Sequence, residues 1–256
     1  MSWLGASLGI FGKNCAMKFT LKLFLFSLLL IPQLSSSQNA TDTSQYEFKS
    51  GSYDGIGKWY MGREIAHVMG YQGMAWLERQ EREQEEQTTT LIANMDIKPK
   101  DVIADIGAGS GYHVFKMAPL ASEGSIYAVD IQVEMLAAIQ ARKEAGGFTN
   151  VEGVKGDIEG VNLPENTVDK VLIVDVYHEM SHPVEMMASI RKAMRAEGEL
   201  FLIEYRGEDA SVPIKELHEM TEAQAVSEMK AAGFKLKKNI DNLPWQHCMV
   251  FVLDSN

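Results

Sequence analysis

From residue 97 onward the chain alternates short β-branched runs with amphipathic stretches. Val102, Ile103 and Ile106 open the first run, in which apolar residues crowd together instead of alternating with polar ones. That pattern predicts a strand buried on both faces, as in a parallel sheet. The run breaks at Gly107, Gly109 and Gly111, and residues 112–120 follow as a helix that Pro119 brings to a close. Further strands are expected at 125–129, 150–155, 168–174, 198–204, 235–240 and 247–253. Helices at 134–145, 183–196 and 221–232 fall between them, and Asn242-Leu243-Pro244 turns the last two strands into a hairpin. Strands and helices in alternation predict an α/β domain over 97–256.

Residues 76–95 read as one helix, with Leu77, Gln84, Thr88, Leu91, Ile92 and Met95 on one face and the charge run 81–86 mostly a solvated surface with internal pairs. Ahead of it, residues 51–73 interleave six glycines with Tyr53, Trp59, Tyr60 and Tyr71. Two compatible readings arise: a glycine-broken helix that packs its aromatics on the core, or a lid placing Tyr60 and Arg63 over a ligand. Either way, 51–96 is expected to be an N-terminal helical cap. Residues 38–50 are polar, carry the sequon Asn39-Ala40-Thr41, and read as a linker.

Lys18 and Lys22 precede the apolar run 23–31, followed by Pro32 and Ser35, Ser36 and Ser37. This is the layout of a secretory signal peptide over 1–37, cleaner still if read from Met17. The run is short for a membrane span, so the expectation is an exported, periplasmic protein, with an uncleaved membrane anchor as the alternative. Of two cysteines only Cys248 would outlast cleavage, which leaves no internal disulfide. Hydrophobic residues at 46% supply a real core, and a net charge of −11 argues against a broad grip on nucleic acid.

The glycines carry the chemistry. A dinucleotide site usually spaces them Gly-x-Gly-x-x-Gly; here they run Gly-x-Gly-x-Gly, with Asp105 two residues before the first. The second expected strand ends in Asp130, where a carboxylate can accept from both hydroxyls of a ribose. Asp105-Ile106-Gly107-Ala108-Gly109-Ser110-Gly111 resembles motif I of the class I S-adenosylmethionine (SAM) methyltransferases. The likeness covers roughly residues 91–252. It implies a Rossmann-like, seven-stranded α/β sheet with helices on both faces and SAM as cofactor. By that resemblance Gly107, Ala108, Gly109 and Gly111 lie along the methionine and sugar, and Asp105 faces the methionine ammonium. Asp130 with Ile131 takes the ribose, and Asp157 with Ile158 takes the adenine. Asp175, His178 and Glu179 follow the fourth strand, which the family's sheet order sets beside the first, facing the methyl group.

Methyl transfer from a sulfonium chiefly needs alignment, and a base only where the acceptor must lose a proton. His178 and Glu179 are the candidates by position, and a helix-capping or core histidine is the alternative for His178. His178, Glu179 and His182 could be metal ligands, but Pro183 disfavours helical geometry at His182, so no metal is expected. Ser110 is not central to Gly-x-Ser-x-Gly, which disfavours a hydrolase. The expected activity is methyl transfer to a small-molecule acceptor. A non-catalytic SAM-binding protein and an NAD-dependent oxidoreductase are the alternatives, and oligomeric state is left open.

Overall fold

The computed structural model describes residues 45–254. The expected signal peptide and most of the expected linker lie outside them. The region expected to be a helical cap instead begins as a three-stranded antiparallel sheet of β1 (Tyr46–Phe48), β2 (Gly55–Tyr60) and β3 (Arg63–Ala66). Thus the end of the supposed linker is a strand. Tyr60 pairs with Arg63 across a two-residue loop, Met61-Gly62, in which φ is positive at both positions. Such a loop follows the twist of a strand pair, and a helix cannot continue through it.

A 3₁₀ turn at Tyr71–Gly73 leads into three short helices where one was expected: α1 (Met74–Leu77), α2 (Arg82–Glu86) and α3 (Thr88–Asn94). Gln87 adopts a left-handed conformation between the last two. The break follows from what must be buried. At about 100° per residue, Arg82 and Glu86 would lie opposite Leu91 and Met95 on one straight helix. All four are buried, so the chain must turn between the two groups. The charge run is accordingly not all solvated: Glu86, 1% exposed, accepts from Arg79 at 2.5 Å, Arg82 at 2.7 Å and the Tyr205 hydroxyl at 3.1 Å.

The main sheet begins with β4 (Val102–Ile106), a single helical turn α4 (Val114–Met117), β5 (Ser125–Asp130), α5 (Val133–Gly146) and β6 (Val151–Lys155). It continues with β7 (Val168–Val174), a 3₁₀ turn at Tyr177–Glu179, α6 (Pro183–Ala193) and β8 (Met194–Arg206). The two-residue β9 (Glu219–Met220), α7 (Glu222–Ala231), β10 (Phe234–Asn239) and β11 (Gln246–Leu253) complete it. The strand order is β10-β11-β8-β7-β4-β5-β6, with β9 pairing on β8. β11 is antiparallel to both its neighbours; the other pairs are parallel. The chain winds from β4 toward β6, then returns to lay β7 on the other side of β4. Between β4 and β7 lies the switch point where open α/β sheets bind ligands.

Successive residues of the central strands feed opposite cores. Val171, Ile173, Leu200 and Leu202 pack with Met187, Ile190 and Met229 from α6 and α7. Leu172, Phe201 and Ile203 pack with Leu91, Phe115 and Ile139 on the other face. This two-sided burial is why the strands read as continuous apolar runs. No helix among the described residues is long and apolar enough to cross a membrane.

Arg63 joins β3 to this body. Its Nε and Nη2 reach Glu228 of α7 at 2.9 and 3.0 Å, and Nη1 donates to the His178 carbonyl at 2.9 Å. Glu228 is wholly buried, so removing one partner strands a charge in the interior. Arg63→Ala should cost roughly 3–5 kcal/mol of stability, read as a lower urea midpoint, and Arg63→Met with Glu228→Leu should recover most of it. An unchanged midpoint for Arg63→Ala would show that the pair does not hold the N-terminal sheet in place.

Candidate functional site

A cavity of about 540 Å³ opens at the carboxyl ends of β4, β5 and β7, over the switch point. The glycine loop forms its floor. At Gly107, φ is +73° and a Cβ would lie 2.6 Å from Val176; at Gly109, φ is +54° and a Cβ would meet Leu77 at 2.7 Å. Both positions need glycine for conformation and for space. Gly111 stands back from the cavity, against Phe115 and Ile139.

Asp105, Gly107, Ala108 and Gly109 line the cavity from β4 and its loop. Asp105 is almost fully buried, and its Oδ2 has no hydrogen-bond partner among the described residues. Burial raises its pKa to about 7, against the opposing pull of the Arg82 charge. Asp130 and Ile131 line the next stretch of wall, beyond β5. Asp130 Oδ2 accepts the Gly109 N–H at 2.9 Å and Oδ1 the Gln132 N–H at 2.8 Å, so this carboxylate braces the loop. Asp157 and Ile158 follow β6; Asp157 Oδ1 accepts the Glu159 N–H at 2.8 Å, and Ile158 is half exposed at the rim.

The opposite wall comes from the segment after β7. Asp175 has φ +51° and is held by a bond from Gln246 Nε2 at 2.6 Å. Its Oδ1 has no hydrogen-bond partner among the described residues, and burial pushes its pKa well up. Next come His178 and Glu179. His178 Nδ1 lies 2.6 Å from Glu204 Oε2, while Glu204 Oε1 accepts the Tyr177 N–H at 2.9 Å. On the ring's other side, Nε2 lies 3.0 Å from His218 Nδ1, and His218 Nε2 lies 2.8 Å from Asp54. Burial works against charging the His178 ring, but Glu204 outweighs it and the pKa rises. Both nitrogens are engaged, so His178 cannot take a ligand's proton without parting from His218. Glu179 accepts the Met69 N–H at 2.9 Å, and burial pushes its pKa up to about 7.

Asp105, Asp130, Asp157, Asp175, His178 and Glu179, drawn from four strand ends, therefore share one cavity. Tyr60 and Arg63, expected to face a ligand, do not line it: Tyr60 is buried, and Arg63 is committed to Glu228 and the backbone of His178. The N-terminal region contributes other residues, His67, Val68 and Met69. His182, weighed as a metal ligand, bonds Ser181 at 2.9 Å and also does not line the cavity. Sequence reasoning missed Asp54, Arg82, His113, Glu204 and His218. Glu204 carried a signal, a lone acid closing the apolar run Phe201-Leu202-Ile203; Arg82 and His113 lie in stretches read as helix with nothing to mark them for a site, and Asp54 and His218 in segments with no periodic pattern.

Comparison with known proteins agrees with this geometry. Residues 97–247 match the family described as "Methyltransferase domain". A tRNA U34 carboxymethyltransferase of Desulfotalea psychrophila is 31% identical over 108 residues, 42% of this chain and 33% of that protein. A protein-L-isoaspartate O-methyltransferase of Ignicoccus hospitalis is 29% identical over 84 residues, 32% of this chain and 40% of its own length. The chain thus spans about a third of the length of the curated relatives it matches. In fold it is similar to a SAM-dependent methyltransferase from Aquifex aeolicus, with a TM-score of 0.68 at 19% identity, covering 73% of this chain and all of that one. With the family matched over more than half of its length, this chain belongs to the methyltransferase-domain family.

Proposed function

We propose that the protein transfers the methyl group to a small-molecule acceptor, with the cavity over the switch point holding cofactor and acceptor together. The observation that carries the reading is Asp105: a buried carboxylate oxygen without a partner, in the wall of a cavity floored by the glycine loop. Such an oxygen fits the cofactor's ammonium. When bound, SAM supplies a methyl group activated for in-line displacement.

The chain's own residues do the positioning. Asp105 holds the ammonium, and Gly107, Ala108 and Gly109 let the ligand approach the backbone. Asp130 receives the ribose hydroxyls on the lone pairs left beside its bonds to the loop. Ile131 and Ile158 flank the adenine and Asp157 meets its edge. His178, Glu179 and His218 form the acceptor side. Alignment of this kind can supply much of the rate of a displacement.

A small acceptor is favoured by size and charge. About 540 Å³ lies within the range of ordinary ligand pockets. A net charge of −11 weighs against a tRNA acceptor of the kind named for one relative. An exported, periplasmic location, proposed from Lys18, the run 23–31 and the serines after it, also points toward small acceptors. Expression in a Gram-negative host should yield periplasmic protein that begins near Gln38 on N-terminal sequencing; soluble cytoplasmic protein retaining residues before Leu23 would contradict it.

Calorimetry with SAM tests the cofactor assignments. Asp130→Ala should lower affinity about ten- to a hundredfold, as expected for loss of charge-assisted hydrogen bonds worth roughly 1.5–3 kcal/mol. Unchanged affinity in a folded variant would remove the ribose role.

Asp105 makes a second, signed test. Its folded pKa of about 7 lies above the unfolded value near 3.9. The stability tied to it is therefore fully present below about pH 4 and is lost as pH rises toward 7. The cofactor-free loss reaches roughly 4 kcal/mol. Asp105→Asn should accordingly stabilise the cofactor-free protein at pH 8 while weakening SAM. In the parent, SAM affinity should climb by up to about tenfold per pH unit below 7 and then level off, and the variant should show no such slope. A slope that survives in Asp105→Asn would assign the ammonium elsewhere.

A further inference from the structure

Two imidazoles meet on the acceptor side. Glu204, a carboxylate, can only accept, so it draws the Nδ1–H of His178 outward and leaves the Nε2 lone pair directed at His218. His218 Nδ1 lies 3.0 Å from that nitrogen, and Asp54 Oδ2 lies 2.8 Å from His218 Nε2 on the ring's far side. When the His218 proton sits on Nε2, toward Asp54, both inward nitrogens offer lone pairs to a cation.

Glu179 adds a third ligand atom. The ligand atoms of His178, Glu179 and His218 all lie within 4.8 Å of one another. Glu179 is largely withdrawn from water, with the Met69 N–H as its hydrogen-bond partner. A divalent cation at this point would be shared by all three groups. The spacing also suits a metal. Two nitrogens bound at about 2.05 Å to a tetrahedral ion stand about 3.3 Å apart, within a few tenths of an ångström of the distance here. Glu179 closes the remaining gap by side-chain rotation. Behind each ring stands the carboxylate that, in metal sites, fixes a histidine's tautomer and direction. His218 has Asp54 in that place, and Asp54 is itself bound by Lys215 at 2.7 Å.

We propose that His178 Nε2, His218 Nδ1 and the Glu179 carboxylate form a binding site for a divalent first-row transition cation in the acceptor wall of the cavity. Two histidines and one carboxylate leave coordination positions open, and these face the cavity. They would take an oxygen of the acceptor, which assigns the acceptor to hydroxyl, phenol or enolate compounds that chelate such ions. The site itself stands on the three side chains; only the acceptor class rests on the function proposed above.

The full chain, stripped with a chelator, is titrated with Zn²⁺ by calorimetry and with Co²⁺ by visible absorption. One equivalent should bind, with Co²⁺ showing d–d bands of a low-coordinate nitrogen–oxygen site. His218→Ala and Glu179→Gln should abolish the bands or weaken binding at least a hundredfold. Asp54→Asn, which removes only a backing carboxylate, should weaken it about ten- to a hundredfold, and His182→Ala should leave it unchanged. SAM affinity, measured on the same metal-free samples, reports that each variant is folded. Absence of saturable binding in the parent, or equal binding in His218→Ala, overturns the site. If SAM still binds in that case, only the metal fails; if SAM does not bind, the cavity assignment fails with it.

Discussion

The structure turns on a carboxylate with no access to water. Glu204 ends the apolar stretch of β8 at zero exposure, and a charge there must be met by donors on the spot. They come from the next strand over, the Tyr177 N–H and the His178 ring. The chain after β7 therefore cannot wander. It bends at Asp175, whose N–H still reaches Ile203 at 2.9 Å, and winds into a 3₁₀ turn clasped by Glu204. From outside, Arg63 holds the same turn by its carbonyl while pairing with Glu228. One buried acid thus couples the central sheet, the cavity wall and the N-terminal sheet.

The cavity carries a marked acid surplus. Asp105, Asp175 and Glu179 are all pushed upward in pKa by burial. Arg82, the nearby cation, is already given to Glu86 and the Leu77 carbonyl. Such a wall is costly to the protein alone and suited to ligands that bring positive charge. Stability is given up where binding needs it, a common trade at functional sites.

What could be read from the residues follows the same physics. The inner strands were legible because burial on both faces leaves an apolar run, and Asp105 and Asp130 because they stand at the ends of two such runs. The outer strands β6 and β10 are half exposed and mostly polar, and Asp157 beyond β6 was placed by the family resemblance. Helical length was less legible. Residues 76–95 carry a helix-like pattern throughout, yet Arg82 and Glu86 point to a different interior from Leu91 and Ile92, and no periodicity shows that a charged pair will be buried. The N-terminal sheet hid behind its glycines: Met61-Gly62 marks a hairpin only once Tyr60 and Arg63 are recognised as paired. His218 and Asp54 were out of reach, because long-range folding alone brings them to His178.

Residues 69–71 tie two walls of the cavity together like a staple. The Met69 N–H is held by Glu179 on one wall, while the Met69 carbonyl and the Tyr71 N–H are held by Gln132 on the other. The segments that follow β5 and β7 are thereby joined through a third stretch of chain. Three hydrogen bonds can let go without unfolding the domain, so this clasp has an opening free energy of its own, separate from the stability of the sheet beneath it.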